Sequence, residues 1–252
     1  MKVRPGVDVA GLTDIGCKRE NNEDCYAYWE PEEDIAFQRL GRLAIVADGM
    51  GGVEGGQFAS RISVECVRDV YSTVAEDDPQ ARLLIAFREA NVQVQHEARQ
   101  KPALHGMGTT LTACAIVANQ LYYAHIGDSR AFLIRGGDAR QLTRDHSLVA
   151  RLVESCTIRP EDAENHPQKH VLTAAVGIGD DLQPDFSDEP ITLQAGDTLM
   201  ICTDGLWGQI SPAEIAEIVS VKGATDACKA LVDLARKRGG PDNITLQILR
   251  VA

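Results

Sequence analysis

Residues 44–52 have the sequence AIVADGMGG, an apolar run that ends in an acid and is followed by a glycine-rich turn. Such a run is typical of a buried β-strand, and Asp48 stands where the strand meets the turn. Similar arrangements recur at Asp128 in AHIGDSR, Asp204 in MICTDGLW and Asp242 in GGPDNIT. Because a strand end displays its side chain at the rim of a sheet, a single rim could gather all four acids.

Four carboxylates at one rim would form an oxygen-rich, negatively charged pocket. Mg²⁺ and Mn²⁺ prefer oxygen ligands, whereas zinc usually recruits Cys or His, and no ligand-spaced pair of those residues occurs. A single Asp-Gly is most often an ordinary turn. Four acids at a partly buried rim, however, would repel one another unless a cation joined them. The pattern therefore favours a metal-dependent hydrolase, although spacing alone does not establish that the acids converge.

The elements around these turns are runs of strands with helical pairs inserted between them. The predicted strands cover 7–12, 25–29, 43–47, 108–117, 121–126, 130–135, 198–202 and 244–249. Apolar residues at helical spacing and cap signals predict helices at 58–74, 84–94, 212–220 and 225–237. Strands and helices that do not strictly alternate indicate the α+β class with largely antiparallel sheets. One domain is expected across 1–252, with the polar segment 147–171 as an insertion or mobile lid.

The composition argues against several other classes of protein. The 252 residues are 44% hydrophobic and 25% charged, enough to bury a core, while the net charge of -12 disfavours nucleic-acid binding. The seven cysteines are odd in number and never form C-x-x-C, so a reducing cytoplasm is the expected location. Neither a signal peptide nor a run of about 18 apolar residues is visible, so no membrane association is expected.

Eight motifs follow one another in the order found in a known family. They are TDIGCKRENNEDC, IVADGMGG, GMGTTLTA, AHIGDSRAFLIR, LTRDHS, HPQKHVLTAAVG, LQAGDTLMICTDGLW and PDNITL. Across residues 8–251 the chain resembles the metal-dependent type 2C family of serine/threonine protein phosphatases in its compact bacterial form. The resemblance implies an α-β-β-α sandwich, in which two antiparallel sheets pack face to face between helices and metal ions bind at one end.

The resemblance also implies roles for the four acids and for Gly49. Asp48 would be shared by two metal ions, and Gly49 would give its backbone carbonyl to one of them. Asp204 and Asp242 would bind the first ion, and Asp48 and Asp204 would be the catalytic carboxylates. Asp128 would help to hold a third, weaker ion that Asp204 also touches. Two core ions, Mn²⁺ or Mg²⁺, are thus expected, with room for a third.

The motif around residue 23 would serve the second ion and the substrate. By resemblance, Glu23 and Asp24 would act on that ion directly or through waters, and Asn243 would be a supporting neighbour. Arg19 would be the catalytic, substrate-binding arginine, since its planar guanidinium can donate two hydrogen bonds to one phosphate. From the residues alone, a surface ion pair of Arg19 with Glu20 or Glu23 is the simpler interpretation.

The implied mechanism uses water as the nucleophile. Two cations about 3.5–4 Å apart could lower the pKa of a bridging water and aim it at phosphorus. Phosphoryl transfer needs chiefly positioning and charge stabilisation, so no covalent protein nucleophile is required. The predicted function is hydrolysis of phosphoserine and phosphothreonine in proteins by a monomer. Phosphoprotein substrates and a cognate Ser/Thr kinase are the expected partners.

Other polar residues near the rim have simpler interpretations. His125 and His146 are predicted to be hydrogen-bonded structural histidines. Arg130 is predicted to support Asp128 or a turn. The chain also departs from the family pattern: Val53 stands where His is common, and LTRALG is interrupted in the segment LTAAVG at 172–177. These changes, which include Ala174 and Val176, are expected to alter the lid environment and substrate preference without abolishing activity.

Two alternatives remain open at this stage. One is a metal-dependent phosphohydrolase that acts on nucleotides or sugar phosphates, although the chain lacks the G-x-x-x-x-G-K-[ST] nucleotide cradle. The other is a non-catalytic, phosphoprotein-binding regulatory module on the same fold. Loss of a metal-binding carboxylate would mark such a module, and the four acids are all present.

Overall fold

The computed structural model describes residues 3–51, 54–163, 166–179 and 181–252. The strands are β1 (Val7–Asp14), β2 (Asp24–Trp29), β3 (Arg42–Met50), β4 (Gly108–Thr109), β5 (Leu111–Val117), β6 (Gln120–Ile126), β7 (Arg130–Arg135), β8 (Asp138–Gln141), β9 (Asp185–Phe186), β10 (Ile191–Thr192), β11 (Thr198–Cys202) and β12 (Ile244–Val251). The α-helices are α1 (Asp34–Leu40), α2 (Gly55–Thr73), α3 (Pro79–Gln100), α4 (Leu148–Glu154), α5 (Pro160–Ala163), α6 (Asp204–Trp207), α7 (Pro212–Val221) and α8 (Ala224–Lys237). A 3₁₀ turn spans Pro102–Leu104.

The strands form two antiparallel sheets. One has the order β1-β12-β11-β7-β8, and the other has the order β10-β6-β5-β3-β2, with β4 added on β3 and β9 on β6. Helices α2 and α3 cover the second sheet, while α7 and α8 cover the first. The predicted α+β class and α-β-β-α layering are therefore confirmed.

The apolar runs of the central strands have a physical cause in this layering. Successive side chains of a strand point to opposite faces. Leu199 and Ile201 of β11 therefore enter the core between the sheets with Val46 of β3, while Met200 and Cys202 enter the core under α7 and α8. Both faces are buried, so the strand is continuously apolar; each buried side chain of this size contributes roughly 1.5–3 kcal/mol.

Local signals fix the starts of two long helices. Asp78 caps α3 by accepting a hydrogen bond from the Ala81 N–H, with Pro79 in the first turn. Ser211 and Glu214 form a capping box at the start of α7, next to the proline that marked this boundary in the sequence. None of the helices in the described ranges is long and apolar enough to cross a lipid bilayer.

Several elements differ from the sequence-based expectations. Helix α1 was not predicted, because it is short and buries only Leu40, which leaves no apolar period to detect. Helix α6 is a single turn that begins at Asp204 itself. Strand β3 continues to Met50, so Asp48 lies inside the strand near its end rather than after it. Helices α4 and α5 lie within the predicted lid, and Val53 falls outside the described residues.

Candidate active site

The predicted acids lie at one end of the sandwich. Asp24, the first residue of β2, pairs across the sheet with Asp48 in β3. Asp204 follows β11 with one residue between, and Asp242 stands just before β12, the strand adjacent to β11. Asp128 lies in the turn between β6 and β7. The two sheets therefore each contribute acids to a common rim.

Burial and mutual repulsion disfavour the charged forms of acids at this rim. Burial raises the pKa of Asp48 well above its usual range, and the charges of Asp24, Asp204, Asp128 and Asp242 raise it further. Burial, followed by the charge of Asp204, likewise raises the pKa of Asp128 to about 7. A divalent cation among these groups would offset the repulsion.

Two carboxylate oxygens at the rim bear on whether the site could bind a cation. Asp24 Oδ1 and Asp204 Oδ1 are buried and have no hydrogen-bond partner. Buried polar atoms nearly always have one, so these oxygens suit a ligand that takes only oxygen donors. Among the residues that the structure describes, no three Asp, Glu, His or Cys side chains already form a compact metal-ligand group. The fit therefore rests on the donor chemistry and the unpartnered oxygens.

A chain of threonine hydroxyls lies beneath Asp24. Thr203 Oγ1 donates to Asp24 Oδ2 over 2.9 Å and accepts from the Thr245 N–H over 3.0 Å. Thr245 Oγ1 is in turn 2.7 Å from Thr13 Oγ1. Burial raises the pKa of Asp24 to about 7, against the opposing effect of hydrogen bonds from Thr245 and Thr203. Sequence reasoning missed these threonines; the one signal was Thr203 immediately before Asp204.

Close backbone packing explains the glycines next to Asp48. A Cβ atom on Gly49 would lie 2.1 Å from Gly56 O, and one on Gly56 would lie 2.2 Å from Glu23 Oε2. The Gly49 N–H also donates to Glu23 O over 3.2 Å, and Ser60 Oγ donates to the same carbonyl over 2.6 Å. The start of α2 therefore packs closely against Glu23 and β3. This close packing leaves no room for a side chain at residues 49 and 56.

Arg19 reaches the rim from the loop between β1 and β2. One of its terminal nitrogens donates to Asp242 Oδ2 over 2.7 Å, and this hydrogen bond is the main cause that raises the pKa of the guanidinium. The partner is thus Asp242, and not Glu20 or Glu23 as in the simpler alternative of a surface ion pair. The Arg19 side chain is 52% exposed, so other N–H groups of the fork remain open to an incoming anion.

Asn243 fastens that loop to the beginning of β12. Its Oδ1 accepts from the Glu23 N–H over 2.8 Å. Its Nδ2 donates to the carbonyls of Ile15 and Asn21 over 3.0 and 2.9 Å. Because Asn243 is buried and uses both ends of its amide, it fixes the loop on either side of Arg19.

A comparison with known protein families identifies the family of this chain. The sequence profile of the family described as protein phosphatase 2C matches residues 19–244. This chain belongs to the protein phosphatase 2C family. Proteins of this family are metal-dependent enzymes that hydrolyse phosphoserine and phosphothreonine. The expectations of family, enzyme class and general function are thereby confirmed.

Individual members of the protein phosphatase 2C family show the same relationship. Protein phosphatase PhpP of Streptococcus pneumoniae is 40% identical over 247 residues, which cover 96% of this chain and 97% of PhpP. A solved serine/threonine phosphatase of S. agalactiae superposes with a TM-score of 0.88 at 35% identity, covering 98% of this chain and 100% of the other. The catalytic domain of the phosphatase PstP, solved in complex with two manganese ions, gives 0.84 at 32% identity, with 98% and 99% coverage.

The two histidines near the rim of this phosphatase are held in hydrogen bonds. His125 is fully buried, with Nδ1 2.8 Å from Thr112 Oγ1 and Nε2 3.0 Å from Gly127 O, and burial lowers its pKa to about 3. His146 accepts from the Gly127 N–H over 3.3 Å and lies 3.1 Å from Asp185. Both arrangements suit structural histidines.

Two further residues lie close to the acids of the rim. The guanidinium of Arg130 pairs with Asp145 over 2.7 Å, and its charge also opposes the rise in the pKa of Asp128. His170, which sequence reasoning missed, lies at the end of the predicted lid with Nδ1 3.7 Å from Asp204 Oδ2. The Asp204 carboxylate raises the pKa of His170. Its position could not be read from spacing because it depends on how the lid segment folds back.

The two departures from the family pattern that follow the predicted lid segment are packed into the fold. Val176 is fully buried and forms an isolated antiparallel bridge with Thr109, beside β3. The Thr109 N–H donates to Val176 O over 3.1 Å. Ala174 is partly buried and packs against the core under α2 and α3. These changes therefore affect packing beside the rim rather than its acids.

Proposed function

We propose that this phosphatase hydrolyses phosphoserine and phosphothreonine at the acidic rim, using Mn²⁺ or Mg²⁺. The observation that supports this most directly is the buried Asp48, whose charge is disfavoured by four neighbouring acids. Two core ions would be held by Asp48, Asp204, Asp242 and Glu23, with help from Asp24 and the Gly49 carbonyl. A third ion would be held by Asp128 and Asp204.

The protein's own groups would position the reactants. When bound, divalent cations would supply Lewis acidity and lower the pKa of a water molecule. Arg19 would hold the substrate phosphate through the N–H groups that do not donate to Asp242. Asn243 would keep Arg19 and Glu23 in register with β12. Positioning of this kind is the main demand of phosphoryl transfer.

The direct test is hydrolysis of a phosphothreonine peptide with manganese, followed by a chelator and then by excess manganese. We expect activity to disappear on chelation and to return on metal addition, because without a cation the rim can neither activate a water molecule nor offset the negative charge of the phosphate. Activity that persists in chelator would contradict the metal-dependent mechanism. Faster release of phosphate from nucleotides in the same buffer would favour the alternative phosphohydrolase, and peptide binding without hydrolysis would favour the regulatory module.

Arg19→Ala should lower kcat/KM for the phosphopeptide by about 10- to 100-fold, mainly through KM. Charge-assisted hydrogen bonds of this kind are worth roughly 1.5–3 kcal/mol, and each 1.36 kcal/mol is a factor of ten. Steady-state kinetics at saturating manganese would measure the change. Arg19→Lys is the matched control: it keeps the charge but loses the planar fork, so it should recover only part of the loss. Wild-type kcat/KM in both variants would exclude a phosphate-binding role.

We further propose that 147–171 is a lid on a single catalytic domain, that the protein acts as a monomer, and that its partners are phosphoproteins and a cognate Ser/Thr kinase. The contact of His170 with Asp204 supports a lid that reaches the rim. Limited proteolysis with and without a phosphate analogue would test the lid, since a closing lid should gain protection from cleavage within residues 147–171.

A cytoplasmic location is supported by the seven cysteines, which are all free thiols.

A further inference from the structure

One turn of helix joins Asp204 to an aromatic residue that touches a second candidate metal ligand. Helix α6 begins at Asp204 and ends at Trp207, and the Gly208 N–H closes the turn on Asp204 O over 2.8 Å. At the far end of the turn, Trp207 Nε1 donates to the backbone carbonyl of Asp128 over 2.9 Å. A short, rigid path therefore connects the two acids.

The indole ring of Trp207 is held in place by an ion pair. The guanidinium carbon of Arg130 lies 3.5 Å from the ring centroid, which is a stacked cation–π contact. Asp145 holds that guanidinium with two prongs, from Arg130 Nε over 3.0 Å and from a terminal nitrogen over 2.7 Å. Both partners are largely buried, so the pair orients the ring rather than forming a loose surface contact.

The peptide of Asp128 is also held from its other side. Ser129 Oγ is 2.8 Å from Thr110 Oγ1, and the Asp48 N–H donates to Thr110 Oγ1 over 2.9 Å. The backbone at residue 128 is thus fixed between Trp207 and the strand that carries Asp48. This matters because the carboxylates of Asp128 and Asp204 repel each other, so that their spacing depends on contacts that hold the backbone.

We propose that Trp207, locked by the Arg130–Asp145 pair, is a positioning residue that sets the spacing of Asp128 and Asp204 for a shared divalent cation. The proposal rests on the function proposed above, because it concerns a cation at the same rim. The indole of Trp207 donates its one N–H to the backbone carbonyl of Asp128 and has no acceptor of its own to offer a cation. Its role would therefore be indirect, through the geometry of the two acids.

The test compares Trp207→Phe with the wild type by calorimetric titration of Mn²⁺ alone. Phe keeps a ring for Arg130 to stack on but removes the N–H donor. We expect the weakest Mn²⁺ site to lose about tenfold in affinity, as is usual when a group that orients a metal ligand is removed, while tighter sites are unchanged. In peptide hydrolysis, the Mn²⁺ concentration for half-maximal rate should rise by a similar factor, with KM for the peptide unchanged.

Trp29→Phe is the matched control, because Trp29 lies at the end of β2 away from Asp24 and the rim and should leave Mn²⁺ binding unaltered. Asp145→Asn serves as a second variant that loosens the lock and keeps the tryptophan, and it should shift the same site in the same direction. A purely structural role would lower the thermal midpoint without moving the Mn²⁺ isotherm. Unchanged isotherms in both lock variants would overturn this inference alone, whereas a wild type that binds no Mn²⁺ would overturn it together with the proposed function.

Discussion

Asp48→Asn is expected to lower kcat for a phosphothreonine peptide by at least about 10³-fold. The charge stabilisation that bound cations give to a transition state is worth several kcal/mol, and each 1.36 kcal/mol is a factor of ten. If Asp48 is the anionic ligand of the cations, as proposed, a neutral amide cannot replace it. The measurement is steady-state hydrolysis at saturating peptide and manganese, so that a change in peptide affinity does not enter.

The Asp48→Asn variant should nevertheless remain folded. Asp48 is buried among acids that disfavour its charge, so removing that charge relieves repulsion in metal-free buffer. Its thermal midpoint without metal should therefore be no lower than that of the wild type. Asp138→Asn, at an exposed acid that begins β8, is the matched control and should keep full activity. Turnover near the wild-type rate in Asp48→Asn would refute the site assignment.

Arg42→Met should destabilise the fold by about 3–5 kcal/mol, because it leaves a buried carboxylate without its counter-ion. The side chains of Arg42 and Glu30 are only 8% and 4% exposed, with Arg42 Nε 3.2 Å from Glu30 Oε2. Tyr28 donates to the same oxygen over 2.7 Å, but a phenol cannot neutralise the charge. The N–H at Nε lacks hydrogen-bond alignment, so charge attraction accounts for the contact. Urea unfolding followed by circular dichroism would measure the loss.

Two comparisons isolate the buried pair. Arg39→Met breaks an exposed pair with Asp77, 3.8 Å apart, and should cost no more than about 1 kcal/mol. The double variant Arg42→Met with Glu30→Leu removes both charges and should recover most of the stability. If Arg42→Met lowered the free energy of unfolding no more than Arg39→Met, the buried pair would contribute no more to stability than the exposed one. None of these changes touches the acidic rim, so kcat of the folded protein should be preserved.

The sequence predicted the fold and the site best where a feature shows within one strand. The run at 44–47 predicts a buried strand because both of its faces are covered, and Asp48 is conspicuous because it ends that run. Contacts between residues far apart in the sequence produce no comparable local pattern and could not be predicted. The partner of Arg19 lies 223 positions away, and the amide of Asn243 binds residues more than 200 positions earlier. The position of His170 likewise depends on tertiary folding, and the metal-binding roles of the acids remain predictions.

The hydrogen bonds of Asn243 also bear on when the enzyme can become active during its synthesis. Strand β12 is not an edge strand; it lies between β1 and β11, and the residues just before it complete the rim and hold the Arg19 loop. A nascent chain that has not yet released this strand from the ribosome lacks both an interior strand of one sheet and part of the candidate active site. The phosphatase domain should therefore remain inactive until β12 has left the ribosome, and a partly synthesised domain would not dephosphorylate nearby proteins.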